Sequence, residues 1–474
     1  MSMEAIIGRK EEVTEMQSLI SSSQPEFLAV YGRRRVGKTY LIRNTYRERI
    51  VFQMTGFADA STAEQLSNYW SALKSVYSDM VYDAPPKDWM QAFEWLREYL
   101  ESIDDGKKVI FFDELPWIDT FRSKFIQALG HFWNAWASDR SDIILVVCGS
   151  AASWMINKLI NDPGGLHNRV TKRIRLDPFT LQETEAFLHH KHIKYDRYQT
   201  IQLYMSLGGI PYYLNELKPG RSVFQEIDRL CFSPKGSLAG EYHNLYRSLF
   251  RHADNHIAIV EALAKKSKGL TRDELIKQSG LSNGGYITKV IAELEESGFI
   301  TIVYPFGKRI KNALYRLTDQ FTLFYLKFMQ DRKAKGEGAW LSRIDSPSWR
   351  AWSGYAFENV CFRHIHHLKK ALGISGVYTE ISSWQSRDQG AQIDLLIDRR
   401  DHVISVCEIK FSKDPYIITK SYRAELEKKL SVFRMETGTA KTVFLTFVTT
   451  MGLVPNQHSL GLVQNVVTLD ALFE

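Results

Sequence analysis

A multidomain α/β chain, led by a parallel-sheet core and closed by a second α/β domain, is what this 474-residue sequence predicts. Three stretches carry the prediction. The first is Glu26–Thr39, EFLAVYGRRRVGKT, where an apolar run suited to a buried parallel strand breaks at Gly32. The second is a pair of further strands, Lys108–Glu114 (KVIFFDE) and Asp142–Ser150 (DIILVVCGS). The third is QIDLLID followed by VISVCEIKF near the C-terminal end, two strands joined by a turn at Arg399–His402.

Gly32–Thr39 reads G-x-x-x-x-G-K-T, the loop that cradles phosphates between a strand and a helix. Each residue type has its own reason. Glycines let backbone N–H groups curl around a triphosphate, and the N-terminus of the next helix favours its negative charge. Lys38 would reach the β- and γ-phosphates, and the Thr39 hydroxyl would hold Mg²⁺. The run from Gly32 through Arg33, Arg34, Arg35, Val36, Gly37, Lys38 and Thr39 to Tyr40 is therefore the candidate ATP-binding surface. A helical pattern from Tyr40 to Arg47 follows it, and Ile50–Met54 suits a further short strand. In the strand at Lys108, the apolar run ends in adjacent carboxylates. Asp113 is expected beside Mg²⁺, and Glu114 is expected to orient and deprotonate the attacking water. The strand at Asp142 ends on small polar residues. Ser150 either faces the γ-phosphate from the carboxyl edge of the sheet or caps a helix. Arg169, Lys172, Arg173 and Arg175 form a basic cluster that either neutralises charge on the transferring phosphoryl or is merely solvated.

Composition excludes little but narrows the class. Apolar residues make up 44% and charged residues 24%, an ordinary soluble balance with room for two to four domains. A net charge of +7 permits a polyanionic partner without requiring one. The four cysteines are far apart with no C-x-x-C pair, as buried thiols in a reducing cytosol would be. MSMEAIIGRKEE has no apolar leader, and no run is long enough to span a membrane. The expectation is a cytoplasmic protein. Aromatics at Trp70, Tyr77, Trp89, Phe93 and Trp95 lie at helical spacing within 60–103 and are read as core.

Several of these motifs occur together with others. IIGRKEE, YGRRRVGKT, FFDELPW, CGSAASWM, Leu176-Asp177-Pro178-Phe179 and LGGIPYYL (Leu207–Leu214) form one set. Over roughly the first 240 residues the chain thereby resembles the prokaryotic "archaeal ATPase" family, in the signal-transducing branch of the AAA+-like P-loop ATPases. The resemblance implies that Gly8 and Arg9 flank the base, that Pro211 closes a helical lid over it, and that Ser150 is the sensor. Arg169 matches the first of two consecutive arginines usual in the family, while Val170 stands at the second. The domains expected on this basis are an ATPase core at 1–180 and a helical lid at 181–245.

Residues 250–330 change character. Helical patterns at His256–Ala264, Thr271–Ser279 and Asn283–Ser297, a strand at Phe299–Tyr304 and a basic hairpin at Lys308–Arg316 outline a winged helix-turn-helix. Thr271 and Glu274 make a capping box. The third helix sets Lys289 against Glu293, Glu295 and Glu296, whereas the wing offers Lys308, Arg309 and Lys311. DNA contact and protein docking both stay open. A polar linker at 331–345 leads to the last domain, 346–474.

There, Glu408 and Lys410 are two apart on a strand and so share a face. The hairpin can set Asp394 opposite them, and the helix Trp352–His364 brings Glu358. Two carboxylates and a lysine at one strand edge suit a hard divalent cation with a nearby activated water. The pattern E…D…E-x-K resembles the PD-(D/E)XK nuclease fold, an α/β restriction-endonuclease-like domain that often follows the winged helix in the family just named. The resemblance implies Mg²⁺ or Mn²⁺ at Asp394 and Glu408, with Glu358 and Lys410 beside it. Gln392 stands where many relatives carry an acid. Two functions follow: an ATP-driven, metal-dependent DNA nuclease, or a nucleotide-controlled switch whose last domain only docks DNA or a partner protein. Self-assembly or a protein partner is left open.

Overall fold

Five parallel strands build the first sheet: β1 (Glu26–Tyr31), β2 (Ile50–Thr55), β3 (Lys108–Asp113), β4 (Ile143–Gly149) and β5 (Lys172–Arg175). Their spatial order is β2-β3-β4-β1-β5. Every residue of β3 and β4 is buried, because helices cover both faces, and that is why these strands read as unbroken apolar runs. Lys108 and Asp113 at the two ends of β3 are the exceptions in polarity, and Lys108 is satisfied by the Leu100 carbonyl and the Asp142 carboxylate, each at 3.0 Å. The helices Thr62–Lys74, Trp89–Ser102 and Phe125–Ala135 bring the aromatic stripe into this core. Phe93 stacks on Phe132 at 5.1 Å, Trp89 meets Phe125 edge-on at 4.8 Å, and Trp133 lies 5.0 Å from Phe27 of β1. Each such ring contributes on the order of 1.5–3 kcal/mol by leaving water. The order also sets the carboxyl end of β4 between those of β1 and β3, which decides what can meet there.

The computed structural model describes residues 6–104, 106–161, 164–250, 252–307, 312–330, 336, 338–386 and 388–474, in two compact units, Met1–Asp177 and Pro178–Glu474. The second unit opens with helices Leu181–His190 and Arg197–Leu207, both started by capping boxes. Helices Ala253–Ala264, Arg272–Ser279 and Gly285–Glu296 then lead into an antiparallel pair, β6 (Ile300–Val303) and β7 (Leu314–Leu317). The Thr271–Glu274 capping box is present. Lys308, Arg309 and Lys311 lie outside the described residues.

The second sheet holds β8 (Thr379–Gln385), β9 (Gln392–Arg399), β10 (Val403–Lys410), β11 (Thr442–Thr449) and β12 (Asn465–Thr468). Strands β8, β9 and β10 are antiparallel neighbours, and β11 and β12 continue parallel to β10. Parallel pairing needs a crossover, which the helix Lys420–Thr437 supplies between β10 and β11. Trp384, Leu396, Val406, Phe433, Leu445 and Phe447 form its core.

The polar linker expected at 331–345 needs correction. Trp340 is fully buried, stacked on Phe232 at 5.5 Å and edge-on to Trp349 at 5.2 Å. The Asp228 carboxylate accepts from the backbone N–H of Gly338 and of Trp340, both at 2.8 Å. Charge in this stretch hides one anchoring ring. Downstream, Pro305 bridges Ser383 of β8 and Phe306 packs on Phe433, so the β6–β7 segment is fastened to the second sheet. Among the described residues no helix is long and apolar enough to cross a membrane.

Candidate functional site

Backbone geometry forms the first site. Gly32 has φ +143, and a Cβ there would lie 2.3 Å from the Leu176 carbonyl oxygen, so only glycine fits. Gly37 has φ +91 and starts the helix Lys38–Thr45. Between them Arg33 and Val36 are buried and Arg34 is exposed; Tyr40 is exposed on the helix that follows. Lys38 is buried, and its ammonium donates to the Gly32 carbonyl at 3.0 Å, the Arg33 carbonyl at 3.1 Å and Ser150 Oγ at 3.0 Å. Burial pushes this lysine below its ordinary range, against the pull of Cys148, Glu114 and Asp113.

The strand ends complete it. Thr39 Oγ1 donates to Asp113 Oδ2 at 2.9 Å, setting two hard oxygen donors side by side, a fit for Mg²⁺. Asp113 Oδ1 accepts from the Glu114 N–H at 3.0 Å and the Cys148 thiol at 2.7 Å. Burial and Asp113 raise the Cys148 thiol far above its ordinary range, so it stays a neutral donor. Glu114 sits in the left-handed region at φ +51. Its carboxylate accepts from Ser150 Oγ at 2.6 Å and Ser150 N–H at 3.1 Å. Ser150 therefore links Lys38 to Glu114. It does not cap the next helix, whose first flanking residue is Ala151.

Residues 6–217 match a family model described as an ATPase domain predominantly from Archaea. Over those residues the chain is similar to that ATPase domain. An uncharacterized protein of Methanocaldococcus jannaschii, MJECL04, is 23% identical over 411 residues, 85% of this chain and 87% of that protein. A Walker-type ATPase of Pyrococcus abyssi overlays with a TM-score of 0.50 at 18% identity, over 68% of this chain and 96% of that one. The latter likeness shows the fold alone. An ORC2 protein of Aeropyrum pernix overlays more loosely, with a TM-score of 0.41 at 12% identity, over 73% and 98% of the two chains.

Other expected residues of the ATPase domain spread around this centre. Gly8 and Arg9 both have positive φ, and Arg9 is buried, donating to the Asp177 carbonyl at 2.5 Å and the Val36 carbonyl at 3.5 Å. It ties the opening of the chain to the phosphate loop. Arg35 has φ +73. Arg169 is exposed, whereas Val170 is buried in the aromatic core, which accounts for an apolar residue there. Pro211, in the second unit, opens the helix Pro211–Asn215. The preceding Gly209 accepts from the Phe179 N–H at 2.6 Å, and a Cβ on it would lie 2.1 Å from the Phe179 carbonyl. That close approach explains why the L-D-P-F and L-G-G-I-P motifs go together.

The second unit holds another constellation around a cavity of 660 Å³ lined by Glu358, Asp394 and Lys410. Cys407 of β10 pairs with Leu395 of β9, so one further step along the register sets Glu408 level with Asp394. Lys410 and Glu408 share a strand face and meet at 2.9 Å. Glu408 also accepts from Lys429 and from the Tyr422 hydroxyl, each at 2.6 Å. Burial raises this carboxyl, but Lys429 and Lys410 outweigh it and hold Glu408 below the ordinary glutamate range. Glu358 goes the other way. Burial and the neighbouring Asp394 push it up to about 8 against the pull of Arg316, which stands 3.5 Å away. Asp394 accepts from the Gln392 amide.

Asp394 and Glu408, the expected cation ligands, come level on neighbouring strands. Among the described residues no three acidic, imidazole or thiol groups are placed to hold a metal ion. Two lysines and a tyrosine take the Glu408 oxygens, and Gln392 takes one of Asp394. Sequence reasoning missed Arg316, Tyr422 and Lys429. The last two are seven apart on one helix, two turns along the same face, which was a readable signal. Arg316 carried none.

Proposed function

We propose that the ATPase domain hydrolyses ATP and that its nucleotide state controls a DNA-directed, metal-dependent nuclease in the second unit. The Lys38–Ser150–Glu114 chain is the observation that carries this reading. Lys38 and Ser150 would exchange their present partners for phosphate oxygens, and Glu114, released from Ser150, would be free to take a proton from water. Thr39 and Asp113 would hold the Mg²⁺ that neutralises charge on the phosphates. Gly8 and Arg9 would border the base, and the exposed Arg169 would be available to a neighbouring molecule.

The nuclease half is supported by the convergence of Glu358, Asp394 and Lys410 on one cavity. The order helix, three antiparallel strands, helix, parallel strand supports a restriction-endonuclease-like domain, and the three helices before β6 and β7 support a winged helix-turn-helix. One observation favours the second reading, a switch with a silent last domain. Glu408 already has Lys410, Lys429 and Tyr422 around its oxygens, so a cation would have to displace them. The deciding experiment incubates linear and circular DNA, single- and double-stranded, with Mg²⁺ or Mn²⁺. Cleavage by the wild type and not by Asp394→Ala is expected. Absence of cleavage by both would favour the switch.

A further inference from the structure

The cavity beside Asp394 has a wall that the nuclease pattern does not account for. Arg316 comes from β7 of the hairpin, not from the sheet that carries Asp394 and Lys410, and Lys268 joins it from the same side. Arg316 is 4% exposed, and its Nε is buried without a hydrogen-bond partner. Its Nη2 stands 3.5 Å from Glu358, longer than the roughly 2.7–2.9 Å of a good charge-assisted bond. The rings of Phe362 and Tyr355 lie 4.8 and 5.7 Å from the guanidinium and fix its plane without using its donors. A planar fork of donors, buried and short of acceptors, suits a phosphate. Opposite stand Lys410, Lys428 and Lys429; among the described residues five cations line the cavity against the carboxyl groups of Glu358, Asp394 and Glu425.

Volume limits the ligand further. A cavity of 660 Å³ is the size of a small-molecule site and admits a segment of one strand, not a duplex. We propose that this cavity binds a phosphate of a single nucleic-acid strand, with Arg316 of the hairpin as the residue that grips it. The proposal deepens the nuclease reading by naming its substrate as an unpaired strand, and it makes the site a joint product of hairpin and sheet.

The test measures fluorescence anisotropy of a short labelled oligo(dT) strand, and of a duplex of equal length, with the full chain in EDTA. Without divalent ions cleavage plays no part, so binding survives even if the nuclease reading fails. Arg316→Gln should weaken single-strand binding about tenfold, and Arg316→Lys by less. Lys268 and Lys428 are exposed, so Lys268→Ala with Lys428→Ala keeps the fold and should lower the salt slope by about 1.4, or 0.7 per lost contact. If Arg316→Gln melts early, this exposed pair decides. Binding unchanged in folded Arg316→Gln or in the pair would overturn the proposal, as would a loss of duplex binding in Arg316→Gln equal to its loss of single-strand binding. Displacement of the strand from Lys38→Ala protein by ATP or inorganic phosphate at comparable concentration would assign the cavity to a free phosphate ligand and overturn it too.

Discussion

Gly32 tolerates no side chain, since its φ and the Leu176 carbonyl both forbid a Cβ. Gly32→Ala should cost about 1–3 kcal/mol in strain, seen as a lower melting temperature together with lost nucleotide binding. Glu114→Gln keeps the shape of the site and removes the proposed base. Nucleotide should still bind while phosphate release falls by about 10²–10⁴-fold; undiminished turnover would reject Glu114 in that role. Glu358 gives a pH signature. Its folded pKa of about 8 lies above the value of a free glutamate, so its contribution is complete below the unfolded pKa and is lost as pH rises through about 8. Thermal melts in EDTA should therefore show the wild type losing stability between pH 5 and about 9 relative to Glu358→Gln, which removes this titration. At this scale the sequence was informative where chemistry fixes spacing, as from Gly32 to Thr39 or Glu408 to Lys410. It was silent on Arg316, because nothing local marks a cation whose acid lies 42 positions away on another element.

Elements were legible where burial is two-sided or ends are marked. β3 from Val109 to Phe112 and β4 from Ile143 to Cys148 are apolar because both faces are covered, and Thr271 with Glu274 announces a helix start. Thr271→Ala should cost about 1 kcal/mol, measured as a lower unfolding midpoint. The stretch 331–345 misled for an opposite reason: charged neighbours outweigh a single Trp340 in any local reading, yet the ring is packed among Phe232, Phe324, Phe328 and Trp349. Trp340→Ala should destabilise the second unit by about 3–5 kcal/mol, far more than removal of a linker residue would. In the second sheet, the apolar run of β9 and the turn at Arg399–His402 made the hairpin readable. The partners of Glu408 on the helix Lys420–Thr437 depend on a crossover that no local pattern contains.

Across the whole chain, one unit carries the chemistry of a triphosphate and the other a charged cavity, and the proposal joins them as controller and effector. ATP bound at Lys38 has to change what happens near Asp394. The most direct measurement is the rate of DNA cleavage with Mg²⁺ or Mn²⁺ under ATP, under ADP and with no nucleotide, for the wild type and for Lys38→Ala. Cleavage that depends on the nucleotide in the wild type and loses that dependence in Lys38→Ala is the expected result. Equal cleavage under all three conditions, or the same nucleotide response in both proteins, would contradict control of the second unit by the first.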